Sequence, residues 1–153
     1  MTDDLILTPN VEALIVQFLR EQPEVADLVG NRVYTELPEK TTFPAVRVHL
    51  YYERPVGGSS PRWLSAHDVQ VDAFGGPKAT AWRIAETCRA ALSQRFLGVQ
   101  QYGEGQNEVA GVITDVQAFG FRDMPDETFT PARPRFLFTA TVYVHPTVPA
   151  TAN

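Results

Sequence analysis

Pro23-Glu24-Val25-Ala26-Asp27-Leu28-Val29-Gly30-Asn31-Arg32-Val33-Tyr34 is the stretch on which the fold turns. Pro23 suits a first helical position, where a missing N–H costs nothing, and starts a short helix or turn through Val29. Gly30-Asn31 supplies the positive-φ stop that lets Arg32 to Glu36 leave as a strand. Just upstream, Val11, Leu14, Ile15, Phe18 and Leu19 fall at i, i+3, i+4, i+7 and i+8, one apolar stripe of a helix, while Glu12, Gln17 and Arg20 face elsewhere. Thr8 as cap with Pro9 at the first helical position sets the expected start. Downstream, Phe43-Pro44 leads into Ala45 to Tyr52, where Val46, Val48, Leu50 and Tyr52 alternate with Arg47, His49 and Tyr51. That period of two makes a half-buried strand.

The same periodicities organise the rest. Residues 54 to 62 have high chain entropy and little to bury, so they read as a mobile loop. Trp63 to Phe74 returns as a strand and closes a long hairpin, with Val69, Val71 and Ala73 opposite Asp68, Gln70 and Asp72. Gly75-Gly76-Pro77 opens a helix to about Phe96, its stripe made by Ala81, Ile84, Ala85, Cys88, Leu92 and Phe96, and Gly98 ends it. A loop through about Glu108 precedes a strand from Val109 to Phe121, and Arg135 to His145 forms the last strand. Residues 1–8 and 146–153 read as loose termini. The expected fold class is α+β: a mostly antiparallel sheet with two helices packed on one face and long hairpin loops, forming one domain over residues 1–153.

Two irregularities stand out. Val112, Thr114, Val116 and Ala118 share a parity that Phe119 and Phe121 do not, which calls for a bulge, with Gly120 as a candidate, or for a change of packing partner. Thirteen residues at ~3.3 Å also reach ~43 Å, more than the ~38 Å diameter of a chain this size, so the strand should bend or protrude. The connection Arg122 to Pro134 holds Met124 and Phe129 among prolines and acids, and loops this long are commonly either functional, here an interaction arm, or disordered.

Composition narrows the function. The apolar fraction of 44% in 153 residues supports one ordinary core. Thirteen basic against 18 acidic residues, a net charge of −5, oppose a main task of gripping nucleic-acid phosphates. Cys88 stands alone, which fits a reducing compartment and leaves no thiolate cluster. Met1-Thr2-Asp3-Asp4 has no cationic n-region or long apolar run behind it, so an unexported protein is expected, and no run approaches the ~18 to 20 apolar residues of a membrane span.

Candidate chemistry fails on spacing. Gly57-Gly58-Ser59-Ser60 lacks a following Lys and helix N-terminus, and Glu104 in Gly103-Glu104-Gly105 would repel a phosphate. Asp68 and Asp72 lie on one strand face but ~13 Å apart, beyond the ~5 to 9.5 Å carboxylate separations of glycoside hydrolysis. His49, His67 and His145 show no metal-ligand spacing. Cys88, on an inner helical stripe, reads as a core residue. No cofactor and no catalytic residue is expected. Arg47, Arg54 and Arg62, with Tyr51 and Trp63 nearby, cluster on the first hairpin; the acidic net charge favours protein contact there over nucleic acid.

The N-terminal helix, the Val25 to Tyr34 segment, the Phe43-Pro44-Ala45-Val46 strand entry and the Asp68-Val69-Gln70-Val71-Asp72-Ala73-Phe74 strand before a helix together resemble the tail terminator proteins of long-tailed bacteriophages. The resemblance covers roughly residues 9 to 97 and rests on order and spacing. It implies a non-enzymatic virion protein, made in the host cytoplasm and placed at the neck. There a homohexameric ring caps the tube of the major tail protein, stops polymerisation at the length set by the tape measure protein, and meets the head–tail connector or stopper. DNA would pass the lumen without specific binding, as an acidic subunit favours. Another neck protein, such as a stopper or minor tail protein, is the nearest alternative, and a small-molecule-binding or catalytic α+β domain a more distant one. The expected interface residues are Met124 and Phe129, with Arg54 and Trp63 behind them.

Overall fold

The computed structural model describes residues 5–57 and 63–146. Their elements run α1 (Val11–Arg20), α2 (Pro23–Val29), β1 (Val33–Tyr34), β2 (Ala45–Pro55), β3 (Ser65–Phe74), α3 (Lys78–Arg95), β4 (Gly98–Tyr102), β5 (Val109–Asp123) and β6 (Arg135–His145), with a single 3-10 turn at Gly105–Asn107. The six strands form one mixed sheet in the order β1-β2-β3-β6-β5-β4. Only the β1–β2 pairing is parallel; the other neighbours run antiparallel.

The fold is therefore α+β as expected, with four corrections. A third helix is present, because the short Pro23–Val29 segment closes a full helix that buries Val25 and Val29. A sixth strand, β4, stands where a loop was expected; only Gln100 of its five residues is buried, so it carries little apolar signal. At the N-terminus Asn10, not Thr8, caps α1: its Oδ1 accepts from Ala13 N–H at 3.2 Å and leaves Pro9 outside the helix. The strand expected over Arg32 to Glu36 shortens to Val33–Tyr34.

The core lies between the helices and one sheet face. Leu14, Ile15, Phe18 and Leu19 of α1, Val25 and Val29 of α2, and Ile84, Ala85, Cys88 and Leu92 of α3 join Val46, Val48, Val69, Val71, Ala73, Phe138, Ala140 and Val142 in one buried cluster. Register explains the selection. Val48 pairs with Val71 and Val71 with Phe138, so the same parity faces the helices across three strands. Gly75 makes the strand-to-helix turn tight enough that a Cβ there would lie 2.6 Å from the Ala81 backbone nitrogen.

The parity conflict in β5 is resolved by two bulges. One falls between Phe119 and Arg122, where Gly120 takes φ 70°, and it returns Phe121 to the core side against Phe136 and Phe138 at 5.7 and 6.3 Å between ring centroids. The other, between Ile113 and Asp115, was not foreseen. It corrects the expected face: Ile113 is buried in the core, while Val112 is only half-buried and Thr114 is exposed.

Candidate interaction surfaces

The sheet face turned away from the helices is polar, as an antiparallel sheet covered on one side predicts. Arg47 donates to Asp72 Oδ2 from Nε at 3.0 Å and Nη2 at 2.6 Å, while Gln70 donates to Asp72 Oδ1 at 2.7 Å. Farther along, Arg54 and Thr141 donate to the two oxygens of Asp68, each at 2.7 Å. The pairing with Asp68 raises the Arg54 pKa above its ordinary value, so its charge is secure. Asp68 and Asp72 thus do cross-strand structural work: each accepts hydrogen bonds from side chains of neighbouring strands, and Asp72 is fully buried.

The Arg122 to Pro134 connection continues the β5–β6 hairpin rather than forming a free arm. Met124 N–H reaches Arg135 O at 2.9 Å, and Asp126 and Arg133 exchange backbone bonds at 2.8 and 3.0 Å. Burial opposes ionisation of Asp126, but the Thr128 hydroxyl and amide, both bonded to its Oδ1, together with the Arg135 and Arg47 charges hold the carboxyl below its ordinary pKa. The tip folds over the polar face and builds a small second cluster, with Phe129 5.6 Å from Phe43 and 6.5 Å from Phe74 between ring centroids. Arg133 caps it, its guanidinium carbon 3.7 Å from the Phe43 ring centre. Such a contact contributes about 0.5–2 kcal/mol.

The four expected interface residues are therefore dispersed. Met124 (47% accessible) and Trp63 (58%) present apolar surface at two separate places, the base of the β5–β6 connection and the tip of the β2–β3 hairpin. Arg54 spends its charge on Asp68, and Phe129 is half-buried in the aromatic cluster. Tyr51 and Tyr52 are also exposed beside Arg54, because a bulge between Leu50 and Tyr52 turns Tyr52 off the core parity expected for it. Arg62 and the Gly58-Ser59-Ser60 segment of the rejected phosphate loop lie outside the described residues, as do residues 1–4 and 147–153 of the expected loose termini.

One constellation escaped sequence reading. His67 and Ser65 share the core parity of β3 and are buried, with Ser65 Oγ 2.7 Å from His67 Nε2 and Glu53 Oε2 3.9 Å from Nδ1. The order hydroxyl, imidazole, carboxylate is that of a nucleophile, base and orienting acid. Ser65 has no accessible surface here, so no substrate atom reaches it. The period of two that placed Val69 and Val71 inside also placed His67 there, which was the available signal.

The remaining chemistry is sparse. A shallow groove of about 470 Å³ is lined by Thr35, Glu36, Leu37, Arg47 and His49. His49 Nδ1 lies 3.9 Å from Asp72 without a hydrogen bond. No group of three or more His, Cys, Asp or Glu able to hold a metal occurs among the described residues. Burial pushes the Cys88 thiol up to about 12, which makes it a poor nucleophile. Among the described residues no helix is long and apolar enough to cross a membrane.

Comparison with known proteins places this architecture. The family model described as tail completion protein gp17 matches residues 13–111. A chain from the structure titled "Virion of native gene transfer agent (GTA) particle" superposes with a TM-score of 0.57 at 21% identity, covering 92% of this chain and 99% of that one. At that identity the likeness speaks for the fold. No curated protein sequence matches significantly.

Proposed function

We propose that this chain, which belongs to the tail completion protein gp17 family and so serves phage-tail assembly, is the ring-forming terminator of the tail tube. The family match carries the reading: it spans α1 to the start of β5, including the complete β2–β3 hairpin and the helices packed on it. In this reading copies of the chain, six in number, close a ring on the last layer of the major tail protein. The ring stops further addition at the length set by the tape measure protein and offers its other surface to the head connector. The subunit needs no cofactor and performs no catalysis; its work is contact. The virion context of the structurally similar gene transfer agent chain agrees with a place in the particle.

Two separated apolar exposures support a subunit with a neighbour on more than one side. Met124 and Trp63 sit at opposite ends of the sheet, since the β5–β6 connection continues past the Phe74 end of β3 and the β2–β3 turn past its Ser65 end. The polar sheet face, with its acids and arginines already paired, suits a lumen through which DNA slides without being held.

Native mass spectrometry of the purified chain and deletion of its gene test this together. A sixfold mass and overlong tail tubes without heads are the expected results. Tubes of normal length lacking heads reassign the chain to another neck position, and a strictly monomeric protein with normal tails removes the assembly role.

A further inference from the structure

Carboxylates close the backbone at both long edges of the sheet. Val46, on the core parity of β2, donates its N–H away from β3 to Arg32 O at 2.9 Å. Antiparallel alternation sends the amides of Val48 and Leu50 the same way. β1 ends at Tyr34, opposite Arg47, so beyond it the outer side of β2 has no strand among the described residues. There Leu50 N–H donates to Glu12 Oε2 at 2.7 Å, an acceptor supplied by the first turn of α1.

The far edge repeats the arrangement. β4 pairs with β5 only as far as Ile113, and the core parity of Val116 points its amide outward. Val116 N–H donates to Asp115 Oδ1 at 2.9 Å, and Gln117 Nε2 holds the other oxygen at 3.3 Å. An unpaired edge is a template for another strand, and charge or a bulge on it is the usual defence. A carboxylate accepts an amide hydrogen bond more strongly than a carbonyl does, and an incoming strand would have to desolvate that charge.

We propose that the outer edges of β2 and β5 are pairing surfaces for a second copy of this chain, held shut in the free subunit by Glu12 and Asp115. The occupant follows from the topology. Three antiparallel steps separate β2 from β5, so β5 runs opposite to β2. Two copies set side by side in one orientation therefore bring β5 of one against β2 of the next as an antiparallel pair, and the step repeats. Uncontrolled, that contact is open-ended. The device concerns the free subunit and does not depend on how many copies form the ring.

The test uses the full chain with Glu12→Ala, Asp115→Ala and both together. Glu12→Gln and Asp115→Asn keep an amide oxygen as acceptor, and Asp27→Ala controls for charge. Sedimentation across a concentration series and hydrogen exchange over 48–53 and 115–119 are the readouts. The double alanine variant should self-associate beyond the wild-type mass at about tenfold lower concentration, with protection gained in those two segments. The amide variants, which keep an acceptor but lose the charge, should associate at concentrations between those of the wild type and the alanine variants, and Asp27→Ala should match the wild type. Wild-type mass in the alanine variants, or association with protection elsewhere, overturns the proposal. If Glu12→Ala loosens α1 and loses cooperative melting, Asp115→Ala alone decides, because Asp115 is exposed and removing one of two guards at a β5–β2 contact already lowers the threshold.

Discussion

Phe129 meets Phe43 edge-on, with ring planes at 86° and centroids 5.6 Å apart, across 86 residues of chain. The contact ties the β5–β6 connection to the entry of β2 and docks on the sheet what would otherwise be a long loop. Replacing Phe129 with Ser removes a half-buried ring and should cost about 1–3 kcal/mol in urea unfolding. Met124→Ser, at an exposed site, should stay within about 0.5 kcal/mol of wild type. If Met124 lies in a subunit or tube contact, that variant alone should lose assembly at unchanged stability. Equal assembly by both variants would remove Met124 and Phe129 from the interface.

Arg47 and Asp72 are the second relationship with a measurable consequence. Asp72 is fully buried and Arg47 keeps 29% of its side chain accessible, so the two substitutions are unequal. Arg47→Met strands a buried carboxylate and should destabilise by about 2–4 kcal/mol. Adding Asp72→Asn to that variant should recover most of the loss, since Gln70 still has an oxygen to bond. A double variant no more stable than Arg47→Met would show that the charge of Asp72 is not what Arg47 compensates.

How much of this the sequence carried depends on the range of the signal. The last strand was legible from end to end, because Phe136, Phe138, Ala140, Val142 and Val144 place an apolar residue at every second position. The parity conflict before Gly120 was legible, but the choice between a bulge and a change of packing partner was not; the structure takes the bulge. β4 was not, since Gly98-Val99-Gln100-Gln101-Tyr102 is held by pairing to β5 and not by burial. The N-terminal start misled because Pro9 offers a strong local signal that Asn10, next to it, overrides. For the surfaces, Met124 is exposed within the connection where it was read, and Trp63, read as the start of a strand, is exposed in the turn before β3, whereas the docking of Phe129 on Phe43 and the reach of Glu12 to Leu50 are long-range contacts with no local trace.

Gly75 gives a steric prediction. Its Cβ position falls 2.6 Å from the Ala81 backbone nitrogen and 3.0 Å from Ala81 Cα, and backbone cannot swing aside as a side-chain tip can. Gly75→Ala must shift α3 against β3 and should cost about 1–3 kcal/mol by thermal unfolding. Gly76→Ala, with open space at the same turn, is the control and should be near neutral. Equal melting of the two would show that the turn relaxes freely.

His67 makes stability depend on pH in a defined direction. Burial lowers its pKa from the ordinary 6.5, although the Glu53 and Asp68 charges pull upward. The folded chain therefore holds a neutral imidazole at a pH where the unfolded chain already binds a proton. Unfolding takes up a proton in that window, so stability is complete above about 6.5 and falls as pH drops toward the lower folded value. Below that value the loss stops growing, because both states are protonated. Urea midpoints between pH 7.5 and 5 should decline for the wild type, and the part of the decline due to this group should vanish in His67→Gln, whose amide can still meet Ser65 Oγ. An unchanged slope in that variant would assign the acid sensitivity to another group.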